Sequence, residues 1–267
     1  MTRTAPAGTR RRRIPSLVAL ILPLILLALW QLSTPLGWVE AYQLTPPLQV
    51  LEAARDLWVR GQLQQDIVST ITRVAVGFAI GATLAVVLGT ITGLSRRVYD
   101  AVEPTLQAVR SVPSLAWGPL LLLWLGIDET PRFTLVAIGS FFPVYVNLVA
   151  GIKGVDRKLV EVARIYNLGR FEIARRVILP ASMPNLFTGL RLGLSQAWLF
   201  VVVAEIFGAS RGLGFRLIDS QLLTRVDLVL VSILCLAVVG KVSDSILLAI
   251  ERRALDWRDT VDTAVAR

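Results

Sequence analysis

Long apolar runs alternate with short polar segments along the whole of this 267-residue chain. A helix needs about 20 mostly apolar residues to cross the hydrocarbon core of a bilayer. The pattern therefore predicts an all-α, polytopic transmembrane helical bundle of about six spans. A hydrophobic fraction of 54% exceeds the roughly 45–50% of ordinary soluble domains and supports that class. The six predicted spans are 16–33, 67–94, 101–125, 131–152, 185–207 and 227–250.

The charge pattern predicts the orientation of these spans. A net charge of +9 could suit nucleic acid, but Lys and Arg beside spans are expected on the cytoplasmic side, so we expect no nucleic-acid partner. The basic segment 1–15 precedes an apolar run as in a signal peptide, yet no small-x-small cleavage site follows, which favours an uncleaved first span. Both ends are then cytoplasmic, with a membrane domain at 16–250 and a tail at 251–267.

Small residues recur every fourth position in the second predicted span. Such a ridge lets another helix approach closely, so this span is expected to be central to the bundle. The alternative is that glycines fall at this spacing by chance in an apolar run. The ridge consists of Gly77, Gly81, Ala85, Gly89 and Gly93.

Prolines interrupt the third and fourth predicted spans. Pro104, Pro113 and Pro119 divide 101–125, and Pro143 lies within 131–152. Carbonyl groups freed by proline are tolerated at membrane depth where they face protein or a water-filled cavity. A kinked span along a translocation pathway and a purely structural kink both fit. Asn147, one turn after Pro143, can bond to a neighbouring helix.

Two ionisable residues fall inside the fifth predicted span, Arg191 near its inner end and Glu205 near its outer end. Charges inside a bilayer are costly and usually face a cavity or a partner. One hypothesis is that Arg191 and Arg110 provide positive potential for an anionic solute, while Glu205 helps to fix an outer gate. The alternative is that Glu205 lies at headgroup level and Arg191 extends to the inner interface.

The sequence offers no basis for catalysis, metal binding or nucleotide binding. Histidine is absent, and Cys235 is the only cysteine. The three lysines, Lys153, Lys158 and Lys241, all lie outside any G-x-x-x-x-G-K-[ST] phosphate loop. We therefore expect a chain that is not an enzyme, with no catalytic residues, no metal site and no cofactor of its own.

The polar stretch EVARIYNLGRFEIARRVILP, residues 161–180, predicts two short helices on the surface. The turn is expected at Asn167 and Gly169, since both residues suit the left-handed conformation that ends a helix. Glu172 and Arg176 are spaced for an ion pair along the second helix. Pro180 is expected to end that helix before the fifth span. By physics alone, the stretch could also be a helix resting on lipid headgroups.

These residues resemble the cytoplasmic loop of the membrane-spanning permeases of bacterial ABC importers. That family's loop reads E-A-A, three residues, G, nine residues, I-x-L-P, and this chain keeps the spacing with Val162, Asn167 and Val177 as departures. WQLSTPLGW, LLLWLGIDE and FFPVYVN also resemble the subgroup for aliphatic sulfonates, taurine, nitrate or thiamine precursors, with sulfonate permeases nearest. The resemblance assigns ATPase coupling to Glu161, Ala163, Asn167, Gly169, Val177, Leu179 and Pro180.

The resemblance implies a permease in the bacterial inner membrane that imports a small anionic solute. A second copy, or a different permease, would complete the pathway within membrane lipid. Two ATPase subunits, holding ATP and Mg²⁺, would dock on the predicted coupling loop, residues 153–184, and a periplasmic or lipid-anchored solute-binding protein would deliver the solute. A secondary transporter and a membrane scaffold are the alternatives from other classes.

Overall fold

The computed structural model describes residues 16–33, 36, 37, 39, 43–113 and 116–257. The predicted segment 1–15 and the end of the tail, 258–267, lie outside the described residues. The described part contains helices and no strand, as the apolar pattern predicted. The helices are α1 (Ser16–Ser33), α2 (Pro47–Val59), α3 (Gln62–Leu94), α4 (Arg96–Ser111), α5 (Trp117–Leu125), α6 (Glu129–Lys153), α7 (Arg157–Ile165), α8 (Arg170–Ile173), α9 (Leu179–Ile206), α10 (Leu213–Leu222) and α11 (Val226–Ala254).

Four described helices are long and apolar enough to cross a membrane: α3, α6, α11 and a continuous 37-residue helix, Arg170–Ile206. The last comprises α8, a π-helical turn at Ala174–Ile178, and α9. These four helices cover the second, fourth, fifth and sixth predicted spans. The first predicted span coincides with α1.

The third predicted span is not a single helix. Residues 101–125 divide between α4, which begins earlier and has no buried residue, and the nine-residue α5. The break follows from local sterics, because a residue before proline avoids helical angles. Val112, which precedes Pro113, is extended at φ −69° and ψ 125°. The hydroxyl of Ser95 caps the start of α4 by accepting from Val98 N at 3.5 Å.

Helix α6 lies at the centre of the bundle, between α3 and α9. The predicted small-residue ridge of α3 faces it. A Cβ added at Gly77 would lie 2.6 Å from Val136 Cβ, and one at Gly93 would lie 2.8 Å from Ile152 Cδ1. The opposite side of α6 meets glycines of α9, where a Cβ at Gly193 would lie 2.9 Å from a Val144 methyl carbon. Without Cβ atoms, these helices approach closely on both sides of α6.

Helices α2 and α10 pack against α11 at one end of the bundle. Val50, Ala53 and Leu57 of α2 form a buried apolar cluster with Leu213 of α10 and Val231 of α11. Trp30 of α1 packs against this cluster. Its indole Nε1 donates to the carbonyl of Thr45 at 3.1 Å. The predicted coupling loop, with α7 and α8, connects the C-terminal end of α6 to α9.

Candidate functional site

The first helix of the predicted coupling loop, α7, has both ends capped. The Asp156 carboxylate accepts from Lys158 N at 2.9 Å at its start. At its end, Leu168 N donates to Ala163 O at 3.2 Å and Asn167 N donates to Arg164 O at 2.9 Å. This pair of bonds is the Schellman arrangement, which requires a left-handed residue at the turn. Asn167 supplies it with φ 58°.

The two predicted turn residues have different roles in the structure. Asn167 takes the left-handed conformation, which asparagine tolerates better than most residues. Gly169 has φ −67° and ψ 161°, an ordinary extended conformation, and nothing lies within 4 Å of where its Cβ would be. Its backbone N–H donates to Glu172 Oε2 at 3.4 Å. The turn therefore depends on Asn167, while Gly169 only precedes the next helix.

The prediction that the second loop helix ends at Pro180 is wrong. The helix continues from Arg170 through Pro180 and Pro184 to Ile206. Proline lacks an N–H and its ring crowds the carbonyl four residues earlier. The π-helical turn Ala174–Ile178 directly before Pro180 changes the hydrogen-bond spacing there, so the helix continues past the proline. The predicted i, i+4 pair is present, with Arg176 Nη2 3.4 Å from Glu172 Oε1.

The tip of the predicted coupling loop presents apolar side chains to solvent. Ile165, Tyr166 and Phe171 are each more than three-quarters exposed. Ala163 is buried, while Glu161 is exposed, and Val177, Leu179 and Pro180 are half-buried. The surrounding side chains are mainly basic. The basic residues of this part of the loop are Arg157, Lys158, Arg164, Arg170, Arg175 and Arg176.

At the opposite end of the bundle, the structure brings together side chains that we call the charged cluster. Three arginines and three acids in it belong to four helices. Arg73 of α3 contacts Glu205 of α9 at 2.8 Å and Glu129 of α6 at 2.7 Å. Glu129 also binds Arg132 at 2.8 Å, and Asp66 binds Arg216 of α10. The charged cluster is Asp66, Arg73, Glu129, Arg132, Glu205 and Arg216.

The charged cluster also holds the start of α10. Gly212 N donates to Asp66 at 3.0 Å, Leu213 N to Thr70 Oγ1 at 2.9 Å, and Gly214 N to Glu205 Oε2 at 2.7 Å. The first N–H groups of a helix have no partner within the helix and carry partial positive charge. Side chains of α3 and α9 supply these partners. The cluster thus joins α3, α6, α9 and α10.

Sequence reasoning identified only Glu205 from this cluster. The carboxylate is fully buried, with Thr70 and Arg73 as side-chain partners, so it does not lie at an exposed headgroup position. A signal for four of the other five was present in the sequence. Asp66, Arg73, Glu129 and Arg132 all fall near the starts of two predicted spans, 67–94 and 131–152, which the predicted orientation places on the same side of the membrane.

The other predicted pathway residues lie in three different settings. Arg191 faces α11, with Nε 3.4 Å from Asp244 Oδ1 and Nη1 3.8 Å from Glu251 Oε2. The Asn147 amide donates to Pro143 O of the same helix at 2.8 Å, and it has no hydrogen bond to another helix within the described part of the chain. Pro113 lies exposed at the break between α4 and α5.

Arg110, near the C-terminal end of α4, lines a cavity of about 240 Å³. Residues of α4, α5, α6 and α9 line it, among them Trp117, Phe142 and Gln196. Helix α4 is held against α6 by Tyr145, whose hydroxyl donates to Glu103 Oε2 at 3.0 Å. The structure thus places one of the predicted pathway residues, itself exposed, beside a partly open cavity.

Known proteins match this chain over most of its length. A family model described as a binding-protein-dependent transport system inner membrane component matches residues 77–256. The chain is 40% identical to a Bacillus subtilis protein named as an aliphatic sulfonates transport permease, over 94% of this chain and 91% of that protein. An Escherichia coli protein of the same name is 38% identical, over 88% and 90%. The taurine transport system permease of Escherichia coli is 31% identical, over 89% and 88%.

Proposed function

This chain belongs to the family of inner membrane components of binding-protein-dependent transport systems, and on that premise we propose that it imports an aliphatic sulfonate with energy from a separate ATPase. The membership confirms the resemblance predicted from the loop and span motifs. The chain is the permease subunit, a membrane component without its own catalysis. The sulfonate assignment is supported by relatives in two bacteria that are named for those solutes. Taurine and nitrate are the alternative solutes, since permeases named for them are also related to this chain.

The single observation that carries the coupling role is the exposed apolar tip of the predicted coupling loop. Ile165, Tyr166 and Phe171 project from a capped and rigid turn. Apolar area left in water is unfavourable by about 25 cal/mol per Å², so a partner that covers these side chains gains binding energy. The ATPase subunit, with ATP and Mg²⁺, is the proposed partner, one on each copy of the permease.

A continuous helix gives the proposed coupling a mechanical route. The helix Arg170–Ile206 has 37 residues and begins in the loop that would contact the ATPase. At 1.5 Å per residue it is roughly 55 Å long. Because no non-helical link separates the loop from the span, movement of the docked loop would tilt or shift α9 directly. Switching between inward and outward access would then follow from closure of the ATPase pair.

In the proposed mechanism each loop residue contributes to docking or to rigidity. Glu161 is exposed for contact with the ATPase, and buried Ala163 allows α7 to pack. Asn167 holds the turn, and Gly169 begins the second helix. The half-buried side chains Val177, Leu179 and Pro180 connect the loop to the span.

The proposed orientation places the predicted coupling loop in the cytoplasm, together with both chain ends. The charged cluster then lies at the outer face, where a periplasmic or lipid-anchored solute-binding protein would dock. In this arrangement Glu205 fixes the outer ends of the helices, and Arg191 holds α11 against α9. Two copies of the chain would form the pathway, with Arg110 and the break at Pro113 along it.

Co-purification from native membranes tests the ATPase partnership. The tagged wild type should bring down an ATPase, and a Tyr166→Ala/Phe171→Ala variant should lose it while reaching the membrane in normal amount. Leu222→Ala is the matched control, because Leu222 is 80% exposed at the opposite end of the bundle. An unchanged ATPase yield from the loop variant would reject the docking role. Uptake of ethanesulfonate, taurine or nitrate, each compared with a deletion strain, tests the solute.

A further inference from the structure

Arg110, which is exposed on α4, differs from three arginines that lie at contacts between helices of the bundle. Arg73, Arg132 and Arg191 each face at least one carboxylate at 4.0 Å or less. Among the described residues, Arg110 has neither an ion pair nor a hydrogen bond for its guanidinium group. The guanidinium group lies beside a cavity that is partly open, and an ionisable side chain on a predicted span commonly faces a cavity that belongs to a solute pathway.

The cavity beside Arg110 lies near the middle of the bundle. Its walls include Phe142 and Pro143, which are near the midpoint of α6, and Gln196 and Phe200 from the outer half of α9. The amide of Gln196 is exposed and has no hydrogen-bond partner among the described residues. Arg110 and Gln196 are the two lining residues with side-chain amide or guanidinium donors. A ligand there would therefore meet two side chains that carry N–H donors, beside an aromatic wall.

A second cavity adjoins the first and has a different character. Its volume is about 460 Å³, and apolar side chains of α3, α4 and α6 form most of its surface. Both cavities are bounded by Val109, Trp117, Ile138 and Phe142. The two together form a polar compartment next to an apolar one, which suits a molecule with a charged head and an apolar tail.

We infer that the cavity between Arg110 and Gln196 binds the anionic head of an amphiphilic solute, whose apolar part extends past Trp117 and Phe142. This inference deepens the proposed import function and rests on it. The planar guanidinium group matches two oxygens of one anion, and the Gln196 amide can donate to a third. The volume of about 240 Å³ is below that of drug-sized pockets, so the head must be small. A sulfonate head meets these conditions.

The test measures uptake in cells of the native organism whose permease gene is replaced by variants. Radiolabelled ethanesulfonate is the probe, and the amount of co-purified ATPase reports assembly. Arg110→Gln should lower uptake by about tenfold or more with assembly unchanged, because it removes a charge-assisted hydrogen bond. Arg110→Lys should retain part of the uptake, and Gln196→Ala should lower it less than Arg110→Gln. Arg96→Gln, the same change at the exposed start of α4, should leave uptake unchanged.

Each outcome decides between the inference and its alternatives. Wild-type uptake equal to that of the deletion strain would reject the proposed solute, and with it this inference. Normal uptake by Arg110→Gln would reject the inference alone. Equal loss of uptake and of assembly in Arg110→Gln would also overturn it, because the arginine would then hold the complex together, for example through an acid of the second copy.

Filling the apolar compartment tests the second half of the inference. Thr134 lines only the larger of the two cavities, so Thr134→Phe should reduce uptake of octanesulfonate relative to ethanesulfonate. The same cells supply the same delivery protein, so a changed ratio comes from the permease. An unchanged ratio, with the variant assembled normally, would show that the tail does not enter this compartment and would overturn that part of the inference.

Discussion

Nη1 of Arg73 lies 2.8 Å from Oε1 of Glu205, a contact that joins α3 to α9 across 132 residues of sequence. Both side chains are buried, and each has further partners: Arg73 also binds Glu129, and Glu205 also accepts from Thr70 Oγ1. Glu205 holds the start of α10 through Gly214 N, and Arg73 also binds the carbonyl of Arg211 at 2.6 Å. These bonds hold the ends of α3, α9 and α10 against one another.

Removing one partner of this buried pair should be costly. Arg73→Leu leaves Glu205 buried without its cation, and we expect a loss of about 3–5 kcal/mol of folding stability. The measurement is thermal unfolding of the purified complex in mild detergent. Arg73→Leu combined with Glu205→Leu should be more stable than Arg73→Leu alone, because no uncompensated charge remains. A single variant as stable as the wild type would contradict the role of the pair.

The close contact between α3 and α6 predicts a steric effect at Gly77. Gly77→Ala places a methyl group against Val136, and overpacking of this kind costs about 1–3 kcal/mol. Gly240→Ala is the matched control, because its Cβ would meet the Trp198 ring at 3.9 Å, an ordinary contact. Detergent unfolding curves should separate the two variants. Equal unfolding midpoints for the two variants would mean that α3 and α6 can move apart without a loss of folding stability.

The left-handed conformation of Asn167 predicts that substitutions at Asn167 and at Gly169 affect the turn differently. Asn167→Val forces a β-branched residue to φ 58° and should cost at least about 1–2 kcal/mol locally, with reduced ATPase co-purification. Asn167→Gly should keep co-purification intact, since glycine adopts this conformation readily. Gly169→Ala should also be tolerated, because its φ is −67° and the space is open. If Gly169→Ala lost the ATPase and Asn167→Val kept it, our assignment of the turn would be wrong.

The pairing of Arg191 with α11 predicts a packing role that charge exchange can test. Arg191 is 42% exposed and Asp244 31% exposed as side chains, so the pair should contribute no more than about 1 kcal/mol. Arg191→Glu should weaken the folded complex modestly without changing which solutes enter. Arg191→Glu/Asp244→Arg should restore the melting temperature. A changed solute preference in Arg191→Glu would instead support the hypothesis that Arg191 lies along the translocation pathway.

Local rules predicted the features that depend on neighbouring residues. The turn at Asn167 and the Glu172–Arg176 pair lie within a few positions of one another, and the interruption at Pro113 follows from sterics at Val112. The same rules were wrong at Pro180, where the π-helical turn lets the helix continue. The apolar runs identified the spans of α3, α6, α9 and α11, but not the separation of 101–125 into two helices.

By itself, the sequence determined that this is an all-α membrane chain, and its motifs determined the family, because hydrophobic length and short-range spacing are properties of the linear chain. The tertiary structure alone decided which charges meet. Whether Arg73 reaches Glu205, or Arg191 reaches Asp244, depends on the rotation and depth of whole helices against one another. That alignment results from packing over the full length of α3, α6 and α9, and no local pattern contains it.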